Sequence, residues 1–182
     1  MKRREIIKDI AEILPQYVTN VNLQLNSNYE IDIKKTILCW LKKYIADNGN
    51  YLNDGIMPID TLFILALTWG DAATCDTTWG AAKSTKNDES WRKIFQTEFA
   101  KLAKSGNLEA CQWLWNSSCA ETKKCLLTET WGRAISFTVM GFMRNALEQG
   151  NTGLFTWLLS CSRQVFEQDY STLIDMLFKY LA

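Results

Sequence analysis

Two stretches of the chain, 44 residues apart, share one pattern: a helix that ends in Gly-Asn, followed by a helix that carries Trp-Leu. The first reads AKLAKSGNLEACQWLW from Ala100, and the second reads MRNALEQGNTGLFTWLL from Met143. Glycine ends a helix in the left-handed conformation without strain, and asparagine caps the helix that follows. The pattern predicts two helical hairpins, each of which needs a neighbour to cover its apolar side. The corresponding positions are Gly106-Asn107 and Gly150-Asn151, and Trp113-Leu114 and Trp157-Leu158.

Apolar residues recur with helical spacing along most of the chain, and no segment alternates convincingly with a period of two. The sequence therefore predicts an all-α fold of about eight to nine helices, stacked as hairpins, with no sheet. Pro58 is expected in the first turn of its helix and Asp88 as the N-cap of another. The predicted helices are 4–14, 30–46, 58–69, 71–83, 88–105, 108–116, two within 120–149 that break near Gly132 or Ser136, 152–160 and 164–181.

The length of 182 residues and an apolar content of 47% fit one globular domain that spans the whole chain. Its first 28 residues are predicted to form a helix followed by an irregular, asparagine-rich segment. Residues 88–182 hold the part that is most repeat-like. The six cysteines are expected to be reduced core residues, and no secretory leader is expected because charged residues interrupt the N-terminal apolar positions.

The segment AKLAKSGNLEACQWLW resembles an ankyrin repeat, and the segment from Met143 resembles a more degenerate copy. The family's Thr-Pro-Leu-His turn is missing, and its period is about ten residues shorter than the one found here. The resemblance implies a short ankyrin-like or α-solenoid-like domain. The asparagine richness and the mixture of acidic and apolar residues in 166–181 also resemble effectors that intracellular bacteria deliver into host cells. That resemblance implies a host-cytosolic location, and otherwise a cytoplasmic one is expected.

Charge argues against nucleic acid as a partner. Twenty basic residues balance twenty acidic ones, whereas sequence-independent binding to nucleic acid requires a basic surplus. No basic residue occurs between Tyr44 and Ala82, although five aspartates do. Such a stretch is either a solvated surface or an acidic patch that attracts a basic partner. The longest apolar run, 56–69, contains Pro58 and Asp60 and is too short to span a bilayer, so no membrane insertion is expected.

The chain contains no histidine, which excludes Ser-His and Cys-His catalysis and any imidazole metal site. No CxxC pair and no phosphate-binding glycine loop occurs, so neither a metal nor a cofactor is predicted. An enzyme that uses carboxylates or cysteine without histidine remains the alternative function. Its candidate carboxylates on predicted helices are Glu98, Glu109, Glu129 and Glu148.

Three tryptophans are each followed by glycine: Trp69, Trp79 and Trp131. A Trp-Gly step can end a helix and leave the indole at the edge of a binding groove, or the indole can simply fill an irregular core. The first interpretation predicts a protein–protein interaction module without catalytic activity, serving as an effector or as a regulator of another protein. The predicted partner-binding residues are Trp69, Asp71, Asp76, Trp79 and Trp131.

Overall fold

The computed structural model describes residues 27–48, 58–131, 134–136 and 138–181. Within these ranges the chain forms nine helices and one two-stranded hairpin, and the predicted all-α class is confirmed. The chain divides into two compact units, Met1–Thr85 and Lys86–Ala182. The predicted helix 4–14 and most of the irregular segment after it lie outside the described residues. The helices are α1 (Ser27–Asn48), α2 (Ile59–Trp69), α3 (Ala72–Ala82), α4 (Asp88–Lys104), α5 (Leu108–Asn116), α6 (Ala120–Leu127), α7 (Val139–Glu148), α8 (Thr152–Val165) and α9 (Tyr170–Leu181).

The unit Met1–Thr85 holds helices α1, α2 and α3, which all pack against one another. Helix α2 begins one residue later than predicted, directly after its N-cap Pro58, whose backbone carbonyl accepts a hydrogen bond from Leu62 N at 3.0 Å. A proline suits this position because the first turn of a helix needs no N–H donor from it. Leu41 of α1 and Leu62 and Phe63 of α2 have no exposed surface and form the centre of this core.

Helices α2 and α3 meet at a corner where glycine is required. Gly70 N donates to Ala66 O at 2.8 Å, and a Cβ atom at position 70 would lie only 2.5 Å from the same oxygen. The Cys75 thiol donates to that carbonyl as well, at 3.3 Å. The Trp69-Gly70 step thus ends a helix, as predicted, because the chain must turn closely over the last carbonyls of α2.

The unit Lys86–Ala182 is organised around α4, which packs against α5, α6 and α7. Its predicted apolar stripe is buried at Trp91, Phe95, Phe99 and Leu102. The predicted cap is wrong by one residue, since the N-cap is Asn87, whose side chain accepts from Ser90 N at 2.8 Å. Asn and Asp are both favoured at the N-cap, so the sequence alone does not distinguish Asn87 from Asp88.

Residues 120–149 do contain two helices, α6 and α7, but a small hairpin separates them. Strands β1 (Glu129–Trp131) and β2 (Ala134–Ser136) pair antiparallel, with Thr130 opposite Ile135. The prediction of no strand misses this hairpin because three residues are too few to show alternation. Glu129 accordingly lies on a strand and not on the helix predicted for it.

The end of α6 is held by a side chain of α4. Gln96 Nε2 donates to two backbone carbonyls, Cys125 O at 3.0 Å and Thr128 O at 3.1 Å. These groups belong to the last turn of α6, where carbonyls have no partner within the helix. Gln96 therefore fixes the point from which the chain continues into β1.

Near the C-terminus the predicted boundary is wrong. Helix α8 extends to Val165 instead of ending near 160, and α9 begins only at Tyr170 instead of 164. Phe166 is buried in the connection between the two helices, so it does not belong to the apolar stripe of α9. In α9, which packs against α7, Leu173 and Leu177 are buried as the stripe predicts.

Candidate functional site

The two predicted hairpin turns are built alike. Gly106 and Gly150 adopt positive φ angles of 78° and 67°, and no other described residue does so. The residue after each glycine returns a backbone bond to the preceding helix: Asn107 N donates to Leu102 O at 2.9 Å, and Asn151 N donates to Ala146 O at 2.8 Å. This left-handed turn is a common way to end a helix, and glycine adopts it without steric cost.

Asparagine caps the second helix of each hairpin, as predicted. Asn107 Oδ1 accepts from Ala110 N at 3.1 Å, and Asn151 Oδ1 accepts from Leu154 N at 3.0 Å. A further correspondence follows along these helices, where Ser118 Oγ donates to Leu114 O and Ser162 Oγ donates to Leu158 O. The two turns and the helices that follow them therefore share these hydrogen bonds at positions 44 residues apart.

The second turn lies directly on the first. Asn151 Nδ2 donates to Gly106 O at 3.1 Å, while Asn145 Nδ2 and Gln149 Nε2 both donate to Lys104 O, at 2.8 and 3.0 Å. A Cβ atom on Gly106 would lie 3.1 Å from Asn151 Nδ2 and 3.2 Å from Gln149 Oε1. Glycine at 106 thus meets two requirements, a positive φ and the close approach of the next turn.

Aromatic rings on the helices of the two hairpins also contact one another. The Trp157 ring of α8 lies 6.2 Å from Phe99 of α4 and 6.0 Å from Trp115 of α5, between ring centroids. Phe99 also contacts Phe142 of α7 at 5.9 Å. Edge-to-face and tilted contacts at these distances are favourable beyond the apolar area they bury. The repeated tryptophan of the second hairpin therefore packs against the first.

The residue that follows the capping asparagine differs between the two turns. Leu108, which follows the first turn, lies 3.7 Å from the position that a Cβ atom on Gly153 would occupy. Thr152 takes the corresponding place after the second turn and is exposed.

Among the predicted partner-binding residues, Asp71 has a structural role in the unit Met1–Thr85. It is the N-cap of α3, where its Oδ1 accepts from Thr74 N at 2.9 Å and from Thr74 Oγ1 at 2.6 Å. Its other carboxylate oxygen lies 2.7 Å from Lys42 Nζ of α1. The Lys42 hydrogen bond, followed by those from Thr74, lowers the pKa of Asp71 from 3.8 to about 2. Asp71 thus fastens α3 to α1.

Asp76 and Trp79 lie three residues apart on α3, a spacing that brings two side chains to neighbouring positions on a helix surface. Asp76 is exposed, whereas Trp79 is half-buried and packs on Phe63 at 5.2 Å between ring centroids. Trp69, at the end of α2, is half-buried too. The Trp79-Gly80 step does not end a helix, since α3 continues to Ala82.

Trp131, the remaining predicted residue, ends strand β1 in the unit Lys86–Ala182. Its side chain lies outside the described part of the structure. The other four residues belong to Met1–Thr85.

The candidate carboxylates that remain on helices are engaged or exposed. Glu98 is buried, and its Oε1 accepts from Lys101 Nζ at 2.9 Å, the pair that their spacing predicts. Glu148 Oε1 accepts from Arg144 Nε at 2.8 Å, and Glu109 is exposed at the start of α5. The pair of Arg144 and Glu148 is typical of a solvated helix surface, whereas Glu98 is buried beneath its lysine partner's exposed side chain.

The cysteines differ sharply in environment. Burial raises the pKa of the Cys111 and Cys161 thiols to about 12. The exposed Cys119 is the N-cap of α6, and its Sγ lies 3.3 Å from Thr122 Oγ1. That hydrogen bond, together with backbone N–H groups of the first turn, lowers the pKa of Cys119. Sequence reasoning missed this thiol, although a cysteine directly before a helix start is a recognisable signal.

Neither a metal site nor a membrane span emerges from the described ranges. No group of three or more acidic, cysteine or histidine side chains there could hold a metal ion. No helix in the same ranges combines the length and apolar character needed to cross a bilayer. Comparisons with protein-family models, with curated proteins and with solved structures return no match.

Proposed function

We propose that this chain is a protein–protein interaction module built from stacked, ankyrin-like helical hairpins, which acts as a regulator or effector of another protein. One observation carries the proposal, namely the turn of Gly150-Asn151 stacked on the turn of Gly106-Asn107 through amide-to-carbonyl hydrogen bonds. Repeats joined in this way form a rigid scaffold whose remaining surfaces are free to vary. Such scaffolds suit recognition of other proteins.

The partner surface that we propose is the exposed side of α3, with Trp69 at the adjoining end of α2. It combines an exposed carboxylate at Asp76 with the half-buried ring of Trp79. Partly buried tryptophans are frequent at the centres of interfaces, and carboxylates attract basic partners. Asp71 lies at the start of the same helix, where its carboxylate is paired with Lys42. A basic partner whose binding weakens with salt is therefore expected.

The test is affinity capture with the purified chain from bacterial and eukaryotic lysates, read by mass spectrometry. Asp76→Asn and Trp79→Phe alter the proposed surface while keeping the volume or the ring, and Asp175→Asn on α9 is the matched control. A stoichiometric partner retained by wild type and control, but weakened in both α3 variants, supports the proposal. If all variants retain the partner equally, α3 is not the binding surface. If neither lysate yields a partner, the proposal of an interaction module is contradicted.

A thiol enzyme that works without histidine is the second candidate, and the observation that favours it is Cys119. An exposed thiol with a lowered pKa at a helix N-terminus is more nucleophilic at neutral pH than an ordinary cysteine. Cys119→Ser separates the two candidates. If wild type modifies a captured partner covalently and Cys119→Ser does not, the enzyme is supported. If both capture the partner equally and neither modifies it, the interaction module is favoured.

A further inference from the structure

We draw no further inference here: the strongest candidate, the exposed apolar side chains Met176 and Phe178 of helix α9, carries none because they lie two residues apart on different sides of the helix and nothing in the structure shows what covers them.

Discussion

Asn151 joins the two hairpin turns through both ends of its side-chain amide. Its Oδ1 accepts from Leu154 N at 3.0 Å and so caps α8, and its Nδ2 donates to Gly106 O at 3.1 Å. One residue therefore starts a helix and fixes the distance to the neighbouring hairpin. This double role makes the stacking of the hairpins accessible to single substitutions.

Substitutions at Asn151 separate the cap from the bond between the turns. Asn151→Ser keeps a capping oxygen but cannot reach Gly106, so we expect it to lower the free energy of unfolding by about 1 kcal/mol, the usual net value of one hydrogen bond. Asn151→Ala also loses the cap, and we expect a loss of about 2 kcal/mol. Urea unfolding followed by far-ultraviolet circular dichroism measures both.

Asn87→Ser is the matched control. Asn87 caps α4 by accepting from Ser90 N and is exposed, so serine should replace it with little change in unfolding free energy. Equal effects of serine at 87 and at 151 would show that the bond to Gly106 contributes nothing.

Gly106→Ala and Gly150→Ala form a second pair. Both place a Cβ atom at positive φ, which costs roughly 1–2 kcal/mol. At 106 the new methyl group also meets Asn151 and Gln149, whereas at 150 it meets nothing within 4 Å. We expect the loss for Gly106→Ala to exceed that for Gly150→Ala by about 1 kcal/mol or more, the value of a bond between the turns. Urea unfolding decides, and equal losses would contradict close stacking of the turns.

Gly80→Ala is expected to stabilise the chain. Gly80 lies inside α3, where a Cβ atom would meet nothing within 4 Å, and Gly141 has the same surroundings inside α7. Alanine at either position should raise the free energy of unfolding by roughly 0.5–1 kcal/mol, because glycine loses more backbone entropy in a helix. Thermal unfolding measures the gain, and destabilisation by either variant would show that its site is more crowded than described.

The same pair of variants probes the proposed surface. Gly80→Ala adds a methyl group next to Trp79, whereas Gly141→Ala adds one in the other unit. We expect a captured partner to bind more weakly to Gly80→Ala alone. Equal binding to both variants would argue against a contact at this part of α3.

The ion pair between Asp71 and Lys42 gives stability that depends on pH. The pKa of Asp71 is lower in the folded chain, about 2, than its usual 3.8, so the stabilisation is fully present above pH 3.8 and is lost as the pH falls to about 2. Because the side chain is about one third exposed, solvent screening limits the contribution to about 1 kcal/mol. We expect Asp71→Asn to be less stable than wild type at about pH 5 and the difference to shrink as the pH falls through about 2.

Lys42→Met removes the largest cause of the lowered pKa and should reproduce most of this effect. Urea unfolding at a series of pH values gives the comparison. A difference between wild type and Asp71→Asn that stays constant down to about pH 2 would contradict the role of the ion pair.

Cysteine reactivity should follow the difference between the buried and the exposed thiols. We expect iodoacetamide to modify Cys119 faster than the buried Cys111 and Cys161, whose thiols stay protonated until the pH approaches their pKa of about 12. Thr122→Val removes the hydroxyl that most lowers the pKa of Cys119, so its modification at neutral pH should slow down. The exposed Cys39 provides the control rate, measured by peptide mass spectrometry, and an unchanged Cys119 rate in Thr122→Val would contradict the role of the hydroxyl.

Local chemistry made the helices and both turns predictable. A glycine that must be left-handed and an asparagine that must cap act within a few residues, so Gly106-Asn107 and Gly150-Asn151 could be placed from their letters alone. The hydrogen bonds between the two turns could not be predicted from the sequence, because Asn145 and Gln149 donate to Lys104 O across 41 and 45 residues of chain.

The candidate surface was less predictable for the same reason. Asp71 and Asp76 look equivalent in the sequence, yet Asp71 caps α3 and pairs with Lys42 on a different helix, whereas Asp76 lies exposed inside α3. The Trp-Gly steps also share their letters but differ in their surroundings. A Cβ atom at position 70 would clash with Ala66 O, whereas one at position 80 would have no neighbour within 4 Å. Packing between elements decides these cases.

The stretch between the two turns contains α6 and the hairpin of β1 and β2 in addition to α5 and α7. The bonds between the turns run from residues 104–106 to residues 145–151, and α7 enters the stack only at Val139, about 15 Å of helix before the second turn. None of these three bonds involves the segment between α6 and α7. The 44-residue spacing therefore depends on the length of a segment that takes no part in these three bonds between the turns.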